Sequence, residues 1–438
     1  MRARLRWLGC GLMLLCMMLT GCGVSSVGTH ATATATVAKA TATTTATPTP
    51  ETSNVYYTTS DQVLTALNTA TGAVRWTFTK GVDIAAPILV GNLVYVTALN
   101  PQAETIYALD STNGTVVWSA KGGQPILVDN AIYTSTGSAI NCLDAMTGKQ
   151  RWQQPFDGAL LTVASDTVFA GIGTSRAGPG GVSVPDSSTL TALNTTDGAI
   201  RWSFTRAYEG FDSPEVADGV AYFMSTNSND TTPVTGHVYA LNVADGSQRW
   251  KVDVGQQAIA NTFGFSNGVF LAGGSATGIT GYRASDGAQL WTNTDPMFSF
   301  FTVTGNAAYV KSFNGVAVAL EVTTGKELWD TSVLVTAPAT PPIAVKGMLY
   351  VSGGRGPGQI AAINSGTGAI QWIQREPGAM GFPSVTIDTI YAYTMQPDNG
   401  PSPVVYAFSA ADGALRWQHQ TGKNLITGLT VTGAVGSD

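Results

Sequence analysis

One eleven-residue pattern occurs nine times along this chain of 438 residues and ends each time on a tryptophan. Its first copy is residues 66–76, Ala-Leu-Asn-Thr-Ala-Thr-Gly-Ala-Val-Arg-Trp, and a glycine precedes the tryptophan by four residues in every copy. A repeat of this period decides the architecture before any single element does. The glycine and tryptophan pairs are Gly72 and Trp76, Gly114 and Trp118, Gly148 and Trp152, Gly198 and Trp202, Gly246 and Trp250, Gly287 and Trp291, Gly325 and Trp329, Gly368 and Trp372, and Gly413 and Trp417.

A second position of the pattern, ten residues before each tryptophan, is always small. A small residue paired with a large flat ring predicts that each indole lies against neighbouring backbone, where a longer side chain would collide. The small residues are Ala66, Ala108, Cys142, Ala192, Ala240, Gly281, Ala319, Ala362 and Ala407.

Four short apolar runs separated by turn residues surround each copy. In the second unit they are residues 87–90, 93–96, 106–109 and 116–118. Tandem four-stranded units of about 40 to 45 residues predict an all-β fold, a β-propeller of antiparallel blades. The first unit begins at Asn54 without an innermost strand, and an unassigned strand-like segment at 429–431 follows the last unit. We therefore expect the C-terminus to complete the first blade, which gives nine blades.

The repeat resembles the tryptophan-docking motif of the pyrroloquinoline-quinone-type propellers, Ala-x-Asp-x-x-x-Gly-x-x-x-Trp, over residues 54–436. The resemblance implies that each indole N–H donates to a backbone carbonyl of the next blade. It also implies eight blades, the usual number in that family, as the alternative to the nine counted. The third motif position is Asp or Asn in six copies but Arg283, Glu321 and Ser409 in the others, so the sequence departs from the motif at those three junctions.

The N-terminus reads as an export signal over residues 1–21, with a basic start and an apolar run too short to span a membrane. Leu19-Thr20-Gly21-Cys22 resembles the cleavage site of bacterial lipoproteins, which implies lipidation of Cys22; an ordinary signal peptide is the alternative. Residues 22–53, rich in Thr, Ala and Pro, predict a disordered tether. We expect an extracytoplasmic protein held on a bacterial membrane by its lipid alone.

The net charge limits the classes of binding partner, and the cysteine content limits the disulfide bonds that the chain can form. Without the three signal arginines, 19 basic residues face 28 acidic ones, a formal charge of about −9. This argues against nucleic acid or an anionic lipid surface as the main partner. Cys142 is the single cysteine of the predicted propeller, so it has no intrachain disulfide partner and reads as a buried packing residue.

Loop lengths divide the two faces of the predicted ring. The turns between first and second strands and the motif turns are short and fall on one face, whereas all long connections fall on the other. Insertions on one face of a repeat protein mark a binding face, with neutral drift as the alternative. Aromatic, Met and Arg side chains favour a protein interface there, although each could equally pack beneath its own loop. The candidate residues are Tyr208, Phe211, Asp212, Met297, Phe298, Phe300, Arg375, Met380 and Phe382.

Catalysis is not expected. In the quinoprotein dehydrogenases that share the motif, the cofactor lies between a free tryptophan and a disulfide of adjacent cysteines, and the predicted propeller has neither. Its two histidines, His237 and His419, fall about half a ring apart, so we expect no metal site. We predict no cofactor and a monomeric propeller that binds a protein or peptide, with glycan left open. This resembles the lipoprotein scaffold of outer-membrane β-barrel assembly; a dehydrogenase with an unconventional quinone site is the alternative.

Overall fold

The computed structural model describes residues 53–81, 87–98, 104–177, 183–227, 235–255, 262–274, 278–294, 298–312, 315–333, 341–354, 357–395, 402–422 and 424–432. The predicted signal peptide, Cys22 and almost all of the predicted tether lie outside these ranges. Within them the chain forms 38 β-strands and no helix, so no helix there could cross a membrane.

The strands form nine antiparallel sheets that follow one another along the chain. Blade 1 consists of β1 (Asn54–Thr59), β2 (Leu64–Asn68) and β3 (Val74–Phe78), joined by the last strand, β38 (Ile426–Val431). Blade 2 contains β4 (Ile88–Val90), β5 (Leu93–Ala98), β6 (Thr105–Asp110) and β7 (Val116–Lys121). Blade 3 contains β8 (Ile126–Val128), β9 (Ala131–Ser135), β10 (Ala139–Asp144) and β11 (Gln150–Pro155). Blade 4 contains β12 (Ala159–Ala164), β13 (Thr167–Ala177), β14 (Ser183–Asn194) and β15 (Ile200–Ala207).

Blades 5 and 9 have a split innermost strand, so each contains five strands. Blade 5 consists of β16 (Glu209–Phe211), β17 (Glu215–Ala217), β18 (Val220–Asn227), β19 (Thr235–Asn242) and β20 (Gln248–Gly255). Blade 6 contains β21 (Thr262–Ser266), β22 (Val269–Gly274), β23 (Gly278–Arg283) and β24 (Gln289–Asn293), and blade 7 contains β25 (Phe298–Thr304), β26 (Ala307–Ser312), β27 (Val316–Glu321) and β28 (Glu327–Ser332). Blade 8 contains β29 (Ile343–Val345), β30 (Met348–Gly353), β31 (Gly358–Asn364) and β32 (Ile370–Glu376). Blade 9 contains β33 (Ala379–Met380), β34 (Ser384–Val385), β35 (Thr389–Met395), β36 (Val404–Ser409) and β37 (Leu415–Gln420).

The C-terminal strand closes the ring, as the sequence predicts. β38 pairs with β1 in antiparallel register, with Val55 opposite Val431, and Thr432 N donates to Asn54 O at 3.0 Å. This pairing covers the edge that β1 would otherwise expose. The propeller therefore has nine blades, and the eight-bladed alternative is wrong.

Nine equivalent hydrogen bonds link the blades. Each indole N–H donates to the carbonyl of the residue after the third motif position in the next blade, at 2.6–3.1 Å. Trp417 donates to Thr69 O and so closes the last junction. The indole also lies flat on the motif glycine of that next blade: a Cβ added at Gly114 would lie 2.6 Å from the ring of Trp76.

The small residue ten positions before each tryptophan has a different neighbour from the expected one. It lies opposite the tryptophan of its own blade on the adjacent strand. Ala108 pairs in register with Trp118, and Gly281 pairs with Trp291. The backbone beneath the ring of the preceding blade is that of the motif glycine. Small residues are thus required on both sides of the indole.

The three junctions with a divergent third motif position are intact. Trp250 donates to Ala284 O at 2.9 Å beside Arg283, and Trp291 donates to Val322 O at 2.9 Å beside Glu321. The bond at Ser409 is equivalent, with its acceptor on the following residue. Because the acceptor is a main-chain carbonyl, the side chain at the third position is free to vary.

Substitution of two glycines separates docking from backbone strain. Gly219 and Gly246 have similar positive φ values, +72° and +70°, but a Cβ at Gly219 meets nothing within 4 Å whereas one at Gly246 lies 2.5 Å from the ring of Trp202. We expect Gly219→Ala to lower the unfolding free energy by about 1 to 2 kcal/mol. Gly246→Ala should cost a further 1 to 3 kcal/mol, roughly, as an overpacked contact. Equal losses in denaturant unfolding would contradict the docking account.

Candidate interaction face

Short turns occupy one end of the blades. The tight turns between first and second strands use residues with positive φ, including Asp129, Asp218, Asn267 and Lys346, and the motif turns use glycines with positive φ. We call this end the tight-turn face. The connections from second to third strands and from each outer strand to the next blade lie at the other end, the long-loop face.

Among the described residues, the paired strands of blade 4 extend furthest on the long-loop face. Its strands β13 and β14 contain 11 and 12 residues and remain paired as far as Ala177 and Ser183. We call residues 173–177 and 183–188 the blade-4 arm. The arm leans on blade 5: Tyr208 N donates to Asp186 O at 2.8 Å, and the guanidinium of Arg176 lies 5.1 Å from the centroid of the Tyr208 ring.

Tyr208 has a strained backbone and an exposed ring. Its φ is +60°, which a bulky residue adopts only where its surroundings enforce it, and its side chain is 44% exposed. The other described non-glycine residues with positive φ lie in tight hairpin turns. The strain at Tyr208 therefore needs a local anchor.

A buried polar network beside Tyr208 provides that anchor. Glu209 is only 4% exposed and accepts hydrogen bonds from Ser225 Oγ at 2.6 Å and from the Tyr239 hydroxyl at 2.9 Å. Lys251 Nζ and His237 Nδ1 lie 3.8 and 3.4 Å from Oε1. A buried carboxylate needs such partners, and these ones fasten β16 to the rest of blade 5. Sequence inspection missed the network because its members come from four different strands.

The predicted interface residues have different surroundings. Tyr208, Arg375 and Phe382 are exposed, the last by 41%. Phe211 is half-buried and packs edge-on against Phe223, with 5.2 Å between ring centroids. Met380 is fully buried, so its side chain is not accessible to a partner. Met297 lies outside the described residues, and for Phe298 and Phe300 only the backbone, in β25, is described.

The exposed candidates lie in two separate sectors of the ring. Tyr208 lies beside the blade-4 arm at the start of blade 5, whereas Arg375 ends β32 of blade 8 and Phe382 precedes β34 of blade 9. Blades 6 and 7 lie between the two sectors in one direction, and blades 1 to 3 lie between them in the other. A small ligand could not contact both sectors, but a partner domain that covers the face could.

Among the described residues, no oppositely charged side chain lowers the pKa of two carboxyl groups on the inner edge of blade 5. Burial raises the pKa of Asp212 to about 6 and that of Glu215 to about 7. Glu215 Oε2 is buried without a hydrogen-bond partner. An ionised carboxylate in such a place is costly, so these side chains weaken the fold when they lose their protons.

The residues present do not fit the quinone site implied by the resemblance. All nine propeller indoles are engaged at blade junctions, and Cys142 is buried, which raises the pKa of its thiol. His419 contacts the Tyr57 hydroxyl at 3.3 Å, and His237 belongs to the Glu209 network. Within the described ranges no three His, Cys, Asp or Glu side chains are grouped so as to hold a metal ion.

Replacement of Glu215 tests the uncompensated carboxylate. Its folded pKa exceeds the unfolded value, so the penalty is absent below about pH 4.5 and full above about pH 7. We expect Glu215→Gln to raise the unfolding free energy at pH 8 by about 1 to 3 kcal/mol and to have little effect at pH 4. Glu321→Gln is the control, because hydrogen bonds lower the pKa of that exposed carboxyl. Identical pH dependence of the wild type and Glu215→Gln would contradict the assignment.

Comparison with known proteins identifies the family. The family described as "Outer membrane protein assembly factor BamB" matches residues 24–141, 104–177, 136–297 and 278–429. The assembly factor BamB of Yersinia pestis is 25% identical over 223 residues, 44% of this chain and 52% of its own length. The serine/threonine-protein kinase AfsK of Streptomyces coelicolor is 25% identical over 321 residues, 64% of this chain but 34% of the kinase.

A solved structure, the dihydro-heme d1 dehydrogenase NirN in complex with DHE, has a TM-score of 0.51 at 13% identity and covers 87% of this chain and 75% of its own. At that identity the likeness extends to the fold alone. This chain spans about half the length of the first curated relative and about a third of the kinase. The family match, in contrast, runs through all nine blades, and the chain belongs to the family of the outer membrane protein assembly factor BamB, the pyrroloquinoline-quinone-type propellers.

Proposed function

We propose that this protein is a non-catalytic, extracytoplasmic scaffold, anchored to a bacterial membrane by a lipid on Cys22, that binds a protein partner through its long-loop face. The observation that carries the proposal is the complete use of the nine propeller tryptophans in blade docking. Each indole has its N–H bonded to the next blade and one ring face on that blade's glycine. A ring held in this way cannot also form the wall of a cofactor site.

Pyrroloquinoline quinone is accordingly not part of the proposal. Its second wall in the quinoprotein dehydrogenases is a disulfide of adjacent cysteines, and Cys142 is a single buried thiol. A cofactor of that size also needs polar groups that converge in one concave site. The exposed candidate residues, Tyr208, Arg375 and Phe382, lie in two sectors instead. A quinone-dependent dehydrogenase is the second candidate, and it has only distant relatives in its favour.

The chemistry of the exposed sectors favours a protein as the partner. Tyr and Arg are the side chains that interfaces concentrate at their energetic centres, and Tyr208 forms such a pair with Arg176 of the blade-4 arm. The arm and the Glu209 network hold this pair in place, so little conformational freedom is lost on binding. A projecting, pre-organised hairpin buries most area against a concave protein surface.

Site-specific photo-crosslinking tests the face. A photoreactive phenylalanine analogue at Tyr208 or Phe382 should capture one and the same protein in living cells. The matched control is Ile387, an apolar side chain that is 65% exposed in the turn between β34 and β35, on the tight-turn face. We expect a much lower yield there, because a photoreactive side chain captures only a protein that lies in contact with it. Capture at Ile387 alone would mean that the opposite face binds.

Calorimetric titration tests the absence of quinone chemistry. The purified propeller, titrated with pyrroloquinoline quinone in the presence of Ca²⁺, should show no saturable heat. Trp250→Ala is the control variant. It opens one blade junction but supplies no pair of adjacent cysteines, so it should not bind the quinone either. Stoichiometric binding at about micromolar affinity, about −8 kcal/mol, would overturn the non-enzymatic proposal.

A further inference from the structure

The first described residue marks where the N-terminal segment leaves the propeller. Ser53 O accepts hydrogen bonds from Thr69 N at 3.3 Å and from Thr69 Oγ1 at 3.2 Å, and Thr69 is part of the first motif turn. Asn54 then starts β1 beside Thr432. The chain therefore departs from the tight-turn face, next to the junction that closes the ring.

The long-loop face is at the far end of the same strands. The second and third strands of most blades contain five to eight residues, so the two faces are about 20 Å apart. In blade 4 these strands contain 11 and 12 residues, and the arm adds roughly 15 Å. The predicted tether of residues 22–53 has a root-mean-square reach of about 30 Å if flexible. That length is comparable to the depth of the propeller, so the side from which the tether departs biases which face points toward the membrane.

The tight-turn face itself is not built to lie on lipid. Asp245 and Asp412 in two of its motif turns are exposed, and Asp110 in a third motif turn is half-buried. All three accept hydrogen bonds that hold the pKa of each carboxyl below its usual range. These groups remain ionised and hydrated, and anionic headgroups would repel them. The face can stand near the bilayer without entering it.

We infer that the anchor holds the propeller by its tight-turn face, so that the long-loop face takes a protein partner presented on the aqueous side, beyond the depth of the propeller from the bilayer. The inference rests on the lipid anchor and partner binding proposed above. It excludes a partner whose binding surface is confined to the lipid headgroup level.

Energy transfer to a labelled bilayer tests the orientation independently of natural lipidation. A chain that begins at residue 22, with Cys22→Ser and an N-terminal hexahistidine, is held on phosphatidylcholine vesicles by a nickel-chelating lipid. A donor dye is attached through Thr196→Cys or Thr174→Cys, two exposed sites of blade 4 on the tight-turn and long-loop faces. The protein without either cysteine controls for labelling of the buried Cys142.

We expect transfer to a headgroup acceptor to be about twofold greater from position 196 than from position 174. Deletion of residues 28–47 should widen that difference, because a shorter tether restricts reorientation. Equal transfer from both sites with the short tether, or greater transfer from position 174, would overturn the inference.

Partner capture separates this inference from the proposal on which it rests. The deletion should leave crosslinking from Tyr208 and Phe382 unchanged in cells, since a partner on the aqueous side does not need a long tether. Crosslinking that is lost only in the shortened chain would contradict the orientation. Absence of crosslinking in both chains would refute partner binding by this face, while the energy-transfer result would still decide the orientation.

Discussion

The hydrogen bond from each indole to the next blade is the interaction on which the ring depends. A single blade has one apolar sheet face toward each neighbour and cannot cover either by itself. The indole joins two neighbouring blades, because its N–H donates to a backbone carbonyl of the next blade and its ring lies on a glycine of that blade. These two contacts together fix both the distance and the angle between the blades. Both contacts use main-chain atoms, which explains why Arg283, Glu321 and Ser409 replace the usual Asp or Asn without breaking a junction.

The same interaction decides the number of blades. Every repeat supplies one tryptophan and receives one, and Trp417 finds its acceptor only at Thr69 of the first blade. A ring of eight would leave one repeat with an indole donor and an apolar sheet face unpaired. Burial of an unpaired donor costs about as much as a lost hydrogen bond, and the exposed sheet would cost far more. Nine complete repeats therefore close as nine blades, although eight is usual in the family that the motif resembles.

The fold was predictable from the sequence because its determinants are local and repeated. Strand order, turn positions and ring closure follow from spacing between Gly, Trp and short apolar runs within each unit. The candidate site was less predictable, since side chains in the long connections obey no period. Met380 and Phe382 are two residues apart in one such connection, yet the first is fully buried and the second exposed. Likewise no pattern links Glu209 to Ser225 or to Tyr239, which approach it from neighbouring strands only in the folded blade.

The two faces of the ring differ because the blades share the same junction motif but have connections of different lengths. The junction motif occupies the tight-turn face and must be kept in every repeat, so that face has little freedom to acquire a specific surface. On the other face only the strand ends are fixed, and blade 4 uses this freedom to extend its arm while blade 5 adds β16 to support it. This support requires a positive φ at Tyr208 and the burial of the Glu209 side chain, and blade docking requires neither. Neither feature serves a junction, and both instead fix the shape of the long-loop face, on which the partner binding proposed above depends.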